Sequence, residues 1–196
     1  MAQRGRRKGS DGELSRALLL RIAADEFAEY GYYETKISNI VKKANVTQPT
    51  FYLYFKSKEA IFEELEDLFR MRLASLTNTS RLETNLHEQT LSERIAQGLT
   101  RIFRFFTEYP SLGRIGFYIS PSACNTKAAM AAQIKDNLLS EVEAGYFHSD
   151  VDMSIVANGL VGMVDRLTTT KLWTGEKTAD ELAKEIVAIV LNGLKK

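Results

Sequence analysis

The chain has 196 residues, 44% of them hydrophobic and 26% charged, with 26 Lys+Arg against 25 Asp+Glu for a formal net charge of +1. That is apolar material for one or two globular domains of roughly 100–200 residues each. The single cysteine, Cys124, excludes a disulfide scaffold, no 18-residue run is free of charge, and Met1 to Lys8 lacks the apolar stretch of a secretory signal, so a cytoplasmic protein without a membrane segment is expected.

Three prolines (Pro49, Pro110, Pro121) punctuate long segments whose apolar residues recur at three and four, which predicts an all-α fold. Residues 1–12 are polar, glycine-rich and basic and read as an arm carrying Arg4, Arg6, Arg7 and Lys8. Ser10 and Glu13 have capping-box spacing; the helix they open carries Leu19, Leu20, Ala23, Phe27 and Tyr30 on one face and ends at Gly31. Thr35 is expected to cap a short second helix with Ile37, Ile40, Val41 and Ala44 inward and Lys36, Lys42 and Lys43 in water. Asn45 breaks it. Thr47 caps a third helix with Pro49 in its first turn and Phe51, Tyr52 and Phe55 following.

From Ser57 a longer helix carries the stripe Ile61, Phe62, Leu65, Leu68, Phe69, Leu73 and Leu76, followed by a polar, aperiodic stretch. Thr90 and Glu93 are read as a second capping box, opening a helix that runs to Pro110, and Leu112 to Ile119 is a short piece. Three helices complete the chain, about 122–146, 150–173 and 178–194, the last opened by a Thr178/Glu181 capping box.

A longer helix, two short helices and a three-residue turn make a helix-turn-helix. The stretch from Phe27 to Leu65 resembles the DNA-binding domain of the tetracycline-repressor (TetR) family of bacterial regulators. The resemblance rests on Gly31-Tyr32, Thr35, Ile40, Ala44-Asn45-Val46-Thr47, Tyr52, Tyr54-Phe55 and Lys58-Glu59. Val41 stands where the family has a small alanine, and Asn45 replaces the turn glycine; asparagine is the next residue best able to take left-handed dihedrals, so the turn is expected to survive. The expected organisation is an arm (1–12), a three-helix DNA-binding domain (13–58) and a larger helical ligand-binding and dimerisation domain (59–196).

Helix-turn-helix geometry brings the third helix into the major groove by its N-terminal end, with Thr47, Gln48, Pro49 and Thr50 near base edges and Gln48 able to pair with adenine. Tyr52, Tyr54, Lys58, Thr35 and Lys36 are phosphate candidates, and Arg6 and Arg7 of the arm follow the backbone or minor groove. The last two predicted helices are apolar over more than one face, which suits a twofold partner as well as a core; the resemblance implies a homodimer on an inverted-repeat operator. Phe103, Phe106, Tyr109, Phe117, Tyr118, Met130, Met163 and Trp173 are candidates to line a pocket for a small, mainly apolar effector that shifts the protein away from DNA. A helical protein-binding or scaffold module without specific DNA binding is the alternative.

No phosphate-binding glycine loop, zinc-protease helix motif, Cys-x-x-Cys or nucleophile elbow is present, so no enzyme, cofactor or metal is expected, and His87 and His148 are too few and too separated for a metal site. Cys124 reads as a small buried residue or a bystander. The total charge conceals an asymmetry: residues 1–58 hold 11 Lys+Arg and 6 Asp+Glu, a net of +5, and the remainder carries −4. A basic head on an acidic body is the pattern of a nucleic-acid binder.

Overall fold

The computed structural model describes residues 10–78 and 88–193. The arm arginines Arg4, Arg6 and Arg7, with Lys8, lie outside the described residues, as does His87. The elements in chain order are α1 (Ser10–Glu34), α2 (Ile37–Lys43), α3 (Gln48–Tyr52), α4 (Lys58–Asn78), α5 (Glu88–Glu108), α6 (Pro110–Arg114), a π-helical turn (Ile115–Ile119), α7 (Ala123–Glu143), α8 (Met153–Leu167), a second π-helical turn (Thr168–Leu172) and α9 (Ala179–Asn192). The described residues contain no strand. No helix among them is long and apolar enough to cross a membrane.

The chain divides into two units, Met1–Leu68 and Phe69–Lys196, with the boundary inside α4. In the first, Leu19, Ala23 and Phe27 of α1, Ile40 and Val41 of α2, Phe51 of α3, Phe55, and Ile61, Phe62 and Leu65 of α4 are buried. Phe27 meets Phe62 edge-on at 4.9 Å between centroids. Full burial of each such side chain is worth about 1.5–3 kcal/mol, which is how helices as short as α2 and α3 persist.

Local chemistry explains most helix ends. Gly31 interrupts α1 with φ 78°, and Asn45 takes φ 53° in the α2–α3 turn, the left-handed geometry expected of an asparagine there. The Thr47 hydroxyl accepts from the Thr50 N–H, and Ser57 Oγ accepts from the Ala60 N–H. Thr178 and Glu181 form the full capping box of α9. Three expected caps differ, the first being Ser10, which already lies within α1. The residue preceding α2 is Lys36, with no side-chain cap, because the Thr35 hydroxyl turns inward to the carbonyls of Glu26 and Gly31. Helix α5 already runs from Glu88, so Thr90 lies within its first turn and does not precede it.

In the second unit α5 packs along α9 and α7 along α8. Phe69, Phe103, Phe106 and Phe117 are fully buried at its centre. Cys124 is exposed, which excludes a small buried residue and leaves the bystander reading.

Candidate nucleic-acid interface and ligand cavity

Helix α3 buries Phe51 against the first unit's core and turns its other faces to water. Gln48, Pro49 and Thr47 are exposed, and Tyr52 is 53% exposed. Thr50 is half-buried, its hydroxyl 2.9 Å from that of Thr47, a mutual bond that holds both threonines at the start of the helix. Pro49 lies in the first turn, where its missing N–H breaks no helical bond. A glutamine amide that is free of the fold beside a rigid proline is a ready hydrogen-bonding edge for a base.

The remaining candidates separate. Lys36 is exposed just ahead of α2. Tyr54 is half-buried, and a β-carbon at Gly12 would lie 3.6 Å from its hydroxyl, so it adjoins the start of α1. Thr35 is 1% exposed with its hydroxyl satisfied internally, which removes that hydroxyl from the phosphate candidates. The Lys58 ammonium is likewise committed: it donates to the carbonyls of Tyr32 (2.9 Å), Tyr33 (3.4 Å) and Thr35 (3.1 Å) and lies 4.4 Å from the centre of the Tyr32 ring. Lys58 thereby satisfies carbonyls that Gly31 strands beyond the break in α1, a task invisible in a motif.

Tyr32 and Glu59 complete this clasp between the end of α1 and the start of α4. The Tyr32 hydroxyl donates to Glu59 Oε1 at 2.6 Å. That bond, with Glu59's own N–H and the Ser57 hydroxyl, holds the Glu59 carboxyl down to about 2, while burial and then Glu59 push the Tyr32 phenol up to about 12. A carboxyl with a folded pKa below its ordinary 4.5 contributes stability that is complete above pH 4.5 and lost as pH falls toward 2. Glu59→Gln is expected to flatten the acid limb of an unfolding-midpoint against pH profile in that window.

Sequence reasoning also passed over Glu26, which is 1% exposed in α1, with the Lys43 ammonium 2.5 Å from its Oε1. Lys43 is thus a structural partner and not simply a solvated residue. Removing the lysine strands a buried charge, whereas replacing the carboxylate with a hydrocarbon of similar volume removes the need for the pair. Lys43→Ala is therefore expected to lower the chemical-denaturation midpoint. Glu26→Leu is expected to leave stability unchanged or raise it by about 1–4 kcal/mol.

The aromatic set expected to line a pocket closes on itself. Phe106 and Phe117 lie 5.3 Å apart, Tyr118 and Trp173 5.4 Å, and the Trp173 N–H donates to the Phe106 carbonyl. Tyr118 donates to the Asp165 carbonyl. Phe103, Phe106 and Phe117 have no exposed surface, so these rings form core and not a pocket lining. An apolar cavity lies elsewhere in the second unit, walled by Ile95, Leu99 and Ile102 of α5, Ile134 and Leu138 of α7, Leu160 of α8, and Ile186 and Val187 of α9. Its polar margin holds Thr77 at the end of α4, with Asn137 and Glu141 of α7. Asn137 donates to the Thr77 carbonyl at 3.0 Å. Of the eight expected residues, Met130 and Tyr109 border two separate clefts and none borders this cavity.

Comparison with known proteins agrees with this architecture. Residues 19–65 match the family model described as bacterial regulatory proteins, tetR family. Over 185 residues the chain is 44% identical to YdgC, an uncharacterized HTH-type transcriptional regulator of Bacillus subtilis (strain 168), covering 94% of this chain and 95% of that protein. Among solved structures, the TetR family transcriptional regulator PfmR from Thermus thermophilus has the same fold, with a TM-score of 0.75 at 22% identity, covering 91% of this chain and 99% of that one. So does FadR from Bacillus subtilis in complex with stearoyl-CoA, with a TM-score of 0.69 at 19% identity, covering 91% and 99%. With a helix-turn-helix built on Asn45 and Thr47 and a near-full-length relative at 44% identity, the chain belongs to the tetR family of bacterial regulatory proteins.

Proposed function

We propose that the protein is a homodimeric transcriptional repressor that binds an inverted-repeat operator in double-stranded DNA and is released by a small, mainly apolar effector. The observation that carries the reading is α3: its inward face is locked by Phe51, and Gln48, Pro49 and Tyr52 stand exposed behind a Thr47 cap. Thr47, Gln48, Pro49 and Thr50 face base edges; Tyr52, Tyr54, Lys36 and the exposed Tyr33 supply phosphate donors, and Arg6 and Arg7 add charge. The net charge of +5 over residues 1–58 supports the same orientation. DNA binding of this kind places the protein in the cytoplasm.

Reading two half-sites requires two heads roughly 34–36 Å apart, hence a dimer. The exposed strip of α8, with Ile155 71% exposed and Gly159 and Gly162 open to close approach, and Ile189 of α9, 45% exposed, are the surfaces for it. The effector occupies the cavity between α5, α7, α8 and α9. Helix α4 is the lever: Thr77 near its end borders that cavity, and Lys58 at its start holds the turn between α1 and α2. An effector that binds better with α4 displaced shifts the population away from DNA by its differential affinity. The stearoyl-CoA bound by FadR of the same fold supports a ligand with a long apolar chain.

The test is to select duplexes from a random-sequence pool with the purified protein and titrate the complex with stearoyl-CoA and with shorter acyl thioesters. An inverted repeat is expected, released by at least one of these; in Leu99→Trp, which narrows the cavity, release needs more of the compound. Recovery of no preferred duplex defeats the DNA-binding reading, and release unaffected by Leu99→Trp defeats the assignment of the cavity.

A further inference from the structure

Leu53 directly follows α3 and is 79% exposed. Its backbone prolongs the helical turn, with φ −68° and ψ −26°, and its N–H reaches the Pro49 carbonyl at 3.2 Å. Residues 49 and 53 therefore lie on one face, a turn apart, opposite the buried Phe51 and Phe55. A lone exposed leucine calls for no explanation. This one continues an apolar strip, Pro49 and Leu53, along the surface that carries Gln48 and Tyr52, where a polar residue would be better hydrated and no neighbour of the fold covers it.

We infer that Leu53 is a specificity-determining residue that packs on the 5-methyl group of a thymine in each operator half-site. This rests on the proposed DNA-binding role. The step from surface to partner is chemical: among base edges in the major groove, the thymine methyl is the one apolar group, and aliphatic side chains read it by contact. Gln48 and Leu53 then divide the work, the amide reading hydrogen-bonding edges and the leucine reading a methyl group further along the helix.

The experiment uses the full-length protein and the duplex it selects from a random pool. Each thymine of a half-site, with its symmetry mate, is replaced by deoxyuridine, which removes the methyl and leaves the pairing edge intact; affinity is read by fluorescence anisotropy at fixed salt. One position is expected to weaken wild-type binding by about fourfold per half-site, the effect of one buried methyl. Leu53→Ala binds the thymine duplex more weakly and no longer distinguishes it from the deoxyuridine duplex, whereas Leu53→Met keeps the distinction. Because Leu53 is exposed, the melting temperature of Leu53→Ala checks that folding is intact. Equal tolerance of deoxyuridine at every position, a selected half-site without thymine, or a penalty that persists in Leu53→Ala overturns the inference and leaves DNA binding standing. Failure to select any duplex overturns both.

Discussion

Gly116→Ala is expected to destabilise the second unit by about 3 kcal/mol or more, at or beyond the upper end of what overpacking a core usually costs. A β-carbon at position 116 would lie 2.1 Å from Cδ1, 2.3 Å from Cγ and 2.8 Å from Cβ of Phe69. Cγ and Cδ1 swing with the side-chain torsion, but Cβ is fixed by the backbone of α4, so no rotamer of Phe69 clears the clash. Phe69 is itself fully buried and packed on Phe105, Phe106 and Phe117 at 5.6–6.0 Å. The π-helical turn that carries Gly116 therefore packs directly on α4, and the missing side chain is what allows it. Gly159→Ala is the control: nothing lies within 4 Å of its would-be β-carbon, so it costs the isolated subunit nothing and gains about 0.5–1 kcal/mol of helix propensity. If α8 forms the dimer contact, the same change weakens self-association, which sedimentation reads separately from denaturant unfolding. A Gly116→Ala variant with an unchanged denaturation midpoint would contradict the packing described.

Gln48→Ala is expected to weaken operator binding by about 5- to 150-fold, the loss of one bidentate base contact worth about 1–3 kcal/mol. The side chain is exposed and makes no contact on which the fold depends, so the melting temperature should not move. Salt dependence discriminates the role. Gln48 neutralises no phosphate, so the slope of log affinity against log salt should match wild type, whereas Lys36→Ala should reduce that slope by about one unit per contact and weaken all sequences alike. A Gln48→Ala protein with wild-type affinity for its selected duplex would remove that residue from the reading surface.

The lysines show where a motif stops being informative. In the sequence Lys36 and Lys58 read as phosphate donors and Lys43 as a solvated lysine, and the structure uses the three differently. Lys36 stands in water, Lys43 neutralises a buried glutamate in the preceding helix, and Lys58 holds three carbonyls around the end of α1. Charge and spacing are the same kind of signal in all three cases. What differs is which carbonyl or carboxylate lies nearby, and those partners are 17 to 26 residues away. The aromatic set follows the same logic. Residues such as Phe106, Phe117 and Trp173 at helical spacing mark an apolar interior, but whether it is filled or hollow depends on how rings from several elements meet.

Local physical chemistry was enough for the all-α architecture, the left-handed Asn45, the caps of α3 and α9 and the break at Gly31, because dihedral preference and near-neighbour hydrogen bonds act within a few residues. The exposed face of α3 followed from the same periodicity, since Phe51 and Phe55 had to turn inward. Tertiary structure alone decided that Thr35 faces the interior, that Lys58 is spent on backbone carbonyls, that Glu26 is buried against Lys43, and that the apolar cavity opens between α5, α7, α8 and α9 and not among the aromatic rings. Each of these depends on burial and on contacts between elements distant in the chain, where the free energy of a side chain is set by what packs against it and not by its neighbours in sequence.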